Sequence, residues 1–395
     1  MQMSRRITQI NEGGDDGWGI YYRSQAMRQA GVDVTMLTIG EHDIGTDDSI
    51  IDAMSAAAKA GHVGYSMFNG NANLRERVAQ RIAGRTGVTT TPDNILVVPG
   101  GQAGLFATHH GVCDEGDRAL IVDPYYATYP CTVRAIGAVP VAVAARPDRN
   151  FQPDPADFAK AAPGARSLLI NSPNNPTGAV YSLETMTGLA DMAKAHDLWL
   201  ISDEVYDTQI WSGQSHLSPR MLPGMPERTL VIGSLSKSHA MTGSRIGWIV
   251  GPEHAIEHLS NLATNTTYGV AGFVQEAAVF ALGLDTAFEA RIAAPFHRRR
   301  DRVLGQLEGH NLVRALPADG AMYVMLDIRA TGLSGDAFAR RLLEDHHVAV
   351  MPGESFGHAA AGHVRVALTV DDARLFAAVD EILKLADTLC AKAPA

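Results

Sequence analysis

Ser234-Leu235-Ser236-Lys237-Ser238-His239-Ala240-Met241-Thr242-Gly243-Ser244-Arg245-Ile246-Gly247-Trp248 follows the apolar run Thr229-Leu230-Val231-Ile232-Gly233, so it begins where a buried parallel strand ends. Ligand sites in open α/β sheets lie in the crevice beyond the carboxyl ends of the strands. The stretch sets a lysine among hydroxyls, with Ser234 three residues before it and Arg245 eight after. Hydroxyls and a bidentate guanidinium suit a phosphate dianion. A lysine amine left free beside them suits a Schiff base to an aldehyde. Together they point to an aldehyde cofactor that carries a phosphate. S-x-S-K alone would be a solvated lysine in a serine-rich loop; the rest of the chain decides the matter.

From about residue 94 to 251, short β-branched runs alternate with helical stretches such as Leu183–His196. The predicted strands are Asn94–Val98, Ala119–Asp123, Val139–Val143, Ser167–Asn171, Leu198–Asp203, Thr229–Gly233 and Ile246–Val250. Their nearly continuous apolar character is that of strands covered on both faces. This predicts an α/β fold, a doubly wound and mainly parallel seven-stranded sheet. Gly100, Asp123, Asn171, Asp203 and Ser234 all fall at or just beyond strand ends, which predicts one crevice.

The flanks differ. Residues 1–45 run from irregular to helical (Ile20–Ala30) to extended (Val34–Ile39). After about residue 290 come a charged helix (Ala290–Glu308), strands at Ala321–Ile328, Val348–Met351 and His363–Leu368, and helices at Ser334–His346 and Asp371–Leu389. A smaller α/β domain made from both termini is expected, with 1–45 contributing to it, 46–290 forming the large domain and 291–395 the small C-terminal one.

Three further strings carry chemistry. Pro99-Gly100-Gly101-Gln102 links a strand to an apolar helix, where backbone N–H groups and the helix dipole face an anion; a plain tight turn would read the same by itself. Asn171-Ser172-Pro173-Asn174-Asn175-Pro176-Thr177-Gly178 throws Asn175 past a strand end, where a neutral amide can donate to a phenolic oxygen or a carboxylate. Ser202-Asp203-Glu204-Val205-Tyr206 puts Asp203 at the end of a buried strand, where an ionised carboxylate needs a partner such as a pyridinium nitrogen. Glu204 is expected to face away from it and be structural.

In this order, N-x-P-x-N-P-T-G, S-D-E-x-Y and S-x-S-K with its later arginine resemble the class I/II pyridoxal-phosphate aminotransferases of fold type I, over nearly the whole chain. The resemblance implies pyridoxal 5'-phosphate as cofactor, with Lys237 as the covalent lysine and proton shuttle and Asp203 on the ring nitrogen. It implies Asn175 and Tyr206 on the phenolic oxygen, and Gly101, Gln102, Ser234, Ser236 and Arg245 on the phosphate. Tyr126, in Asp123-Pro124-Tyr125-Tyr126, falls where the family stacks a ring on the cofactor, although a core aromatic would read alike. Arg365 corresponds to the clamp on the substrate α-carboxylate, with Gly40 and Asn175 beside the substrate. Tyr65 resembles the tyrosine that reaches the neighbouring subunit's phosphate, which implies a homodimer with shared active sites.

The implied reaction moves an α-amino group from an amino acid to a 2-oxo acid by a ping-pong mechanism. Two departures bear on the donor. Gln102 stands where many aspartate-type relatives carry a lysine, and the usual G-E-P-D string reads Gly40-Glu41-His42-Asp43. With Asp15, Asp16 and Trp18 expected near the same mouth, the local field would be acidic, favouring neutral or basic donors with a pyruvate-like acceptor. Strings such as Ala195-His196-Asp197-Leu198-Trp199 are similar to bacterial arginine–pyruvate transaminases. Aspartate transamination, or a carbon–sulfur lyase of the same fold, would share every cofactor residue.

Composition narrows the class. The 395 residues are 46% hydrophobic with a net charge of −10, and the nearest basic block is Arg298-Arg299-Arg300, so neither nucleic acid nor a membrane surface is an expected partner. Cys113, Cys131 and Cys390 are scattered without metal-ligand spacing, which fits thiols in a reducing cytoplasm.

Overall fold

The computed structural model describes residues 1–12 and 17–390. Twelve strands run in chain order: β1 Thr35–Leu37, β2 Ile95–Val98, β3 Arg118–Asp123, β4 Val139–Ala144, β5 Ala165–Asn171, β6 Trp199–Asp203, β7 Thr229–Ser234, β8 Gly247–Val250, β9 Arg314–Ala315, β10 Tyr323–Asp327, β11 Val348–Pro352 and β12 His363–Ala367. Seven of them form a sheet in the order β2-β8-β7-β6-β5-β3-β4. The pairings among β3 to β7 are parallel, and β8 alone runs antiparallel to its neighbours β2 and β7. All seven expected strands are present, with ends shifted by at most two residues.

Period-2 alternation explains how this sheet is buried on both sides. Leu96, Val98, Leu169, Ile201, Ile232 and Ile249 point into one apolar layer with the helix Gly101–Val112. Their neighbours turn the other way, Leu168, Ile170 and Leu200 into one cluster and Ile95, Val97, Val231 and Trp248 into another.

The second sheet, β1-β11-β12-β10-β9, joins a strand from the N-terminal flank to four from the C-terminal one, with β1 parallel to β11 and Thr35 opposite Val348. Ile20 and Leu37 share a core with Phe296, Val303, Phe338 and Leu342. The chain ends therefore pack as one unit against the seven-stranded sheet. Among the described residues, no helix is long and apolar enough to cross a membrane.

One expectation is corrected. Asp123, at the end of β3, does not face the crevice. Its carboxylate accepts from the backbone N–H of His358 at 3.0 Å and of Ala359 at 3.2 Å, stapling the loop after β11 onto the large sheet. Gly357 there has φ +114°, and a side chain on it would overlap the carboxylate. Asp123 is buried, so Asp123→Ala strands two amides without water. A loss of about 2–3 kcal/mol in unfolding free energy is expected, against about 1 kcal/mol for Asp123→Asn, which keeps an acceptor. Urea denaturation of the two variants measures the difference.

Candidate active site

The carboxyl ends of β2, β5, β6 and β7 open into a cleft with about 280 Å³ of free volume. Gly40, Gly101, Gln102, Tyr126, Asn175, Asp203, Tyr206, Ser234, Ser236, Lys237, Arg245 and Arg365 all line it. Tyr65 does not; it is 90% exposed, packed edge-on against Tyr268 at the surface.

Local geometry places each group. Ser234 caps the single helical turn Leu235–Ser238 by accepting from the Ser236 N–H at 3.0 Å, which fixes Lys237 three positions beyond the end of β7. The chain then turns back, and β7 pairs antiparallel with β8, Ser234 opposite Gly247. That return brings Arg245, itself at φ +50°, against the turn at Gly100. Gly100 has φ +87°, and a side chain on it would collide with the Arg245 guanidinium. The helix beginning at Gly101 directs its free N–H groups the same way. An anion-binding corner results from Arg245, Ser234, Ser236 and that helix end. The Gln102 side chain is held by Thr132 (2.8 Å) and Thr128 (3.0 Å).

Asp203 is 5% exposed, and its Oδ2 accepts from the Tyr129 hydroxyl at 2.7 Å. Burial pushes its pKa up to about 6, against the pull of Tyr129 and the Val205 N–H. Among the described residues no cation bonds it. Asn171, level with it on β5, donates to the Asp203 backbone carbonyl at 2.9 Å and accepts from the Asn175 N–H at 2.8 Å, so the loop after β5 hangs from β6. Asn175 Oδ1 in turn accepts from Arg365 at 2.7 Å.

Arg365 is 1% exposed, its guanidinium 4.3 Å from the Tyr323 ring centre and 4.5 Å from that of Phe356. It also donates to the Thr38 carbonyl, and its Nε has no partner. Burial lowers its pKa, against the pull of Tyr323, Tyr206 and Tyr126. The Tyr206 and Tyr323 hydroxyls lie 3.0 Å apart, and a side chain at Gly40 would overlap that of Tyr323. Lys237 donates to the Gly40 carbonyl. Burial brings its pKa down to about 8; Glu41 holds it up, and Arg245 and Arg365 push it further down.

The sequence missed Tyr129, Tyr323 and Phe356. Tyr129 lies three residues past Tyr126 in a tyrosine-rich string, a signal that was available; the other two lie in apolar runs that mark only core. Glu204 faces away from Asp203, bonded to Ser202 and Ser218. Of the expected acidic mouth, Glu41 and Trp18 line the cleft, whereas Asp43 is matched by Arg299 at 2.6 Å. His42 is buried edge-on against Phe296, and burial pushes its pKa down to about 4, so it adds no charge. Asp15 and Asp16 lie outside the described residues.

The family model for aminotransferase class I and II matches residues 32–382. An arginine–pyruvate transaminase of Pseudomonas aeruginosa is 40% identical over 371 residues, covering 94% of each chain. An aspartate/prephenate aminotransferase of Thermus thermophilus is 35% identical over 91% of this chain and 92% of its own. Among solved structures, the aspartate aminotransferase from Thermus thermophilus with maleate superimposes with a TM-score of 0.91 at 33% identity, over 98% of this chain and 100% of that one. An aromatic aminotransferase from Pyrococcus horikoshii gives 0.87 at 31% identity, over 92% and 98%.

The lowered pKa of Lys237 makes a direct prediction. In the cofactor-free protein the buried ammonium destabilises the fold in full below about 8, and that cost is relieved as pH rises from about 8 toward the ordinary 10.5. Reductive alkylation of Lys237 by an aldehyde should reach half its maximal rate near pH 8, some two units below surface lysines by peptide mapping. A half-maximum shared with the surface lysines would show that the amine is solvated.

Proposed function

This chain belongs to the class I and II aminotransferases, and we propose that its donor is a neutral or basic amino acid and its acceptor a pyruvate-like 2-oxo acid. It is a pyridoxal-phosphate-dependent enzyme that moves an α-amino group between an amino acid and a 2-oxo acid. The residues present suit that cofactor. Asp203 is a buried carboxylate in want of a cationic N–H, the corner at Arg245 suits a phosphate dianion, and Lys237 carries an amine easily made neutral. When bound, the cofactor supplies an electron-accepting ring for the charge left at the substrate Cα.

In this reading Lys237 would be the residue that holds the cofactor covalently. As a free amine it would take and return the proton at the substrate Cα, and a pKa near 8 suits a group that must be both base and acid at neutral pH. Asp203 keeps the ring nitrogen protonated, with Tyr129 orienting its carboxylate. Asn175 and Tyr206 hold the phenolic oxygen, Tyr126 covers the ring, and Gly101, Gln102, Ser234, Ser236 and Arg245 hold the phosphate. Arg365 takes the α-carboxylate of every donor, pinned by the two rings and Asn175, with Gly40 beside it.

One observation carries the donor preference. The cleft's only cations among the described residues are Lys237, Arg245 and Arg365, and each already has a task. None is left for a distal carboxylate, while the hydrogen bond that Glu41 at the mouth accepts among the described residues is from the Thr242 hydroxyl, at 3.0 Å. The same chemistry places aspartate donors second. Against a panel of amino acids and oxo acids, aspartate and glutamate should trail alanine, methionine or arginine by about 1–3 kcal/mol, roughly ten- to a hundredfold in kcat/KM. Aspartate emerging as the best donor would overturn the reading.

A small domain made from 1–45 and 291–395 beside the large domain 46–290 is supported by the core shared between the flanks, with the helix Thr286–Leu307 running across the limit at 290, and a cytoplasmic setting by the buried thiol of Cys113, which meets the Ser167 hydroxyl rather than another cysteine. A homodimer is supported by Tyr65, exposed with Val63 and Met67 on one stretch of surface. If Tyr65 completes the partner's phosphate corner, a hybrid of one Tyr65→Ala and one Lys237→Ala chain holds one intact site. Such hybrids should show about half the wild-type rate per dimer by statistical counting of sites. Hybrids no more active than the parent homodimers would place Tyr65 in its own chain's site and argue for a self-contained protomer, and a Tyr65→Ala homodimer of wild-type rate would place it outside the site.

A further inference from the structure

Glu204 lies next to Asp203 in sequence and on the opposite side of the strand, where the transamination chemistry leaves it unused. Its Oε1 accepts from Ser202 at 2.9 Å and from Ser218 at 2.8 Å, and its Oε2 lies 2.8 Å from Nε2 of His216. His216, Ser218 and Arg220 are alternate residues of one stretch, extended at Ser218, and all three bear on this carboxylate. Both sides of the contact are buried, the Glu204 side chain 8% and the His216 side chain 12% exposed. Arg220 is 3% exposed, its Nε and one Nη have no hydrogen-bond partner among the described residues, and its charge acts on Glu204 through the field.

A lone charge at Glu204 would oppose a second charge at Asp203, which burial already drives toward neutrality. We propose that Glu204 and His216 form a buried ion pair whose neutrality keeps Asp203 charged, making His216 a positioning residue for the carboxylate that meets the cofactor ring. The charged groups facing His216 are Glu204 and Asp207 from the end of β6 and the turn after it, and Arg85 from the helix Ala72–Thr86. Burial and Arg85 oppose the charge on the imidazole, but Glu204 and Asp207 outweigh them and raise its pKa. Arg85 and Arg81 are themselves tied to Asp207 and Glu289.

The proposal rests on the reading of Asp203 given above, and its test separates the two. In the holoenzyme, the pH midpoint of the visible-band change reports the proton on the nitrogen that joins Lys237 to the cofactor. His216→Gln leaves Glu204 unbalanced, stabilising the cationic form, and should raise that midpoint by about half a unit to one unit. Glu204→Gln with His216→Gln removes both charges and should bring it at least half of the way back. A merely structural role predicts the reverse, with damage that adds in the double variant. An unchanged midpoint in His216→Gln, or no return in the double variant, overturns the proposal. If Asp203→Asn also leaves the midpoint unmoved, the reading of Asp203 fails; if it moves while His216→Gln does not, only the ion-pair proposal fails. Should the variants not fold, nitrogen-15 spectra of wild-type His216 decide, since a neutral imidazole at pH 7 overturns it.

Discussion

A carboxylate and a guanidinium, Asp203 and Arg365, are buried at one cleft without the counter-charge that would make burial cheap. Stranding a charge away from water is strongly unfavourable unless it is paired or held by dipoles. Each is therefore held by what surrounds it, Asp203 by a phenol and a backbone N–H, Arg365 by two aromatic faces, an amide and a carbonyl. In the proposed reading, the cofactor ring and the substrate carboxylate supply the partners that complete them. Because the dipoles are fixed before either arrives, little reorganisation remains when charge moves in the reaction.

That constraint explains why two sheets are needed. The segment from Thr38 to Thr46 leaves β1 and crosses the cleft, giving Arg365 the carbonyl of Thr38 and Lys237 that of Gly40. Thr46 donates to the Ala240 carbonyl at 2.8 Å, beyond the lysine. Behind it, Arg299 binds Asp43, Asp372 and the Leu368 carbonyl. The segment is thus fixed to the seven-stranded sheet on one side and to the C-terminal helices on the other. Lys237 follows a strand of the seven-stranded sheet and Arg365 lies on one of the five-stranded sheet, and this crossing ties the two together.

Much of this could be read from sequence because strand ends in a doubly wound sheet are marked by abrupt changes from apolar to polar residues. Asn171, Asp203 and Ser234 each end such a run, and each meets the cleft. Asp123 carries the same mark yet spends its carboxylate on the loop after β11, because nothing local in a strand end encodes which distant backbone will approach it. The same blindness hid Tyr323 and Phe356. Their apolar neighbours on β10 and in the loop after β11 mark core, whereas their role depends on where Arg365 lands across a sheet register, Met325 opposite Arg365. Asp43 carries no mark in sequence of its partner Arg299, which lies 256 residues away.

The proposed donor preference has a similar logic, since among the described residues the cleft holds no cation beyond Lys237, Arg245 and Arg365. A pocket that neutralises a distal carboxylate must hold a buried cation, and such a cation would raise the field already felt by Lys237. Arg245 and Arg365 push the Lys237 pKa down while Glu41 holds it up. A further cation would lower it again, so accepting a dicarboxylic donor and keeping an amine poised near neutrality pull against each other at this site. Leaving Gln102 neutral, its amide absorbed by Thr128 and Thr132, and leaving Glu41 without an arginine resolves the conflict in favour of the base. A positively charged donor side chain would meet that carboxylate at the mouth, well placed to bind there without entering the field that tunes Lys237.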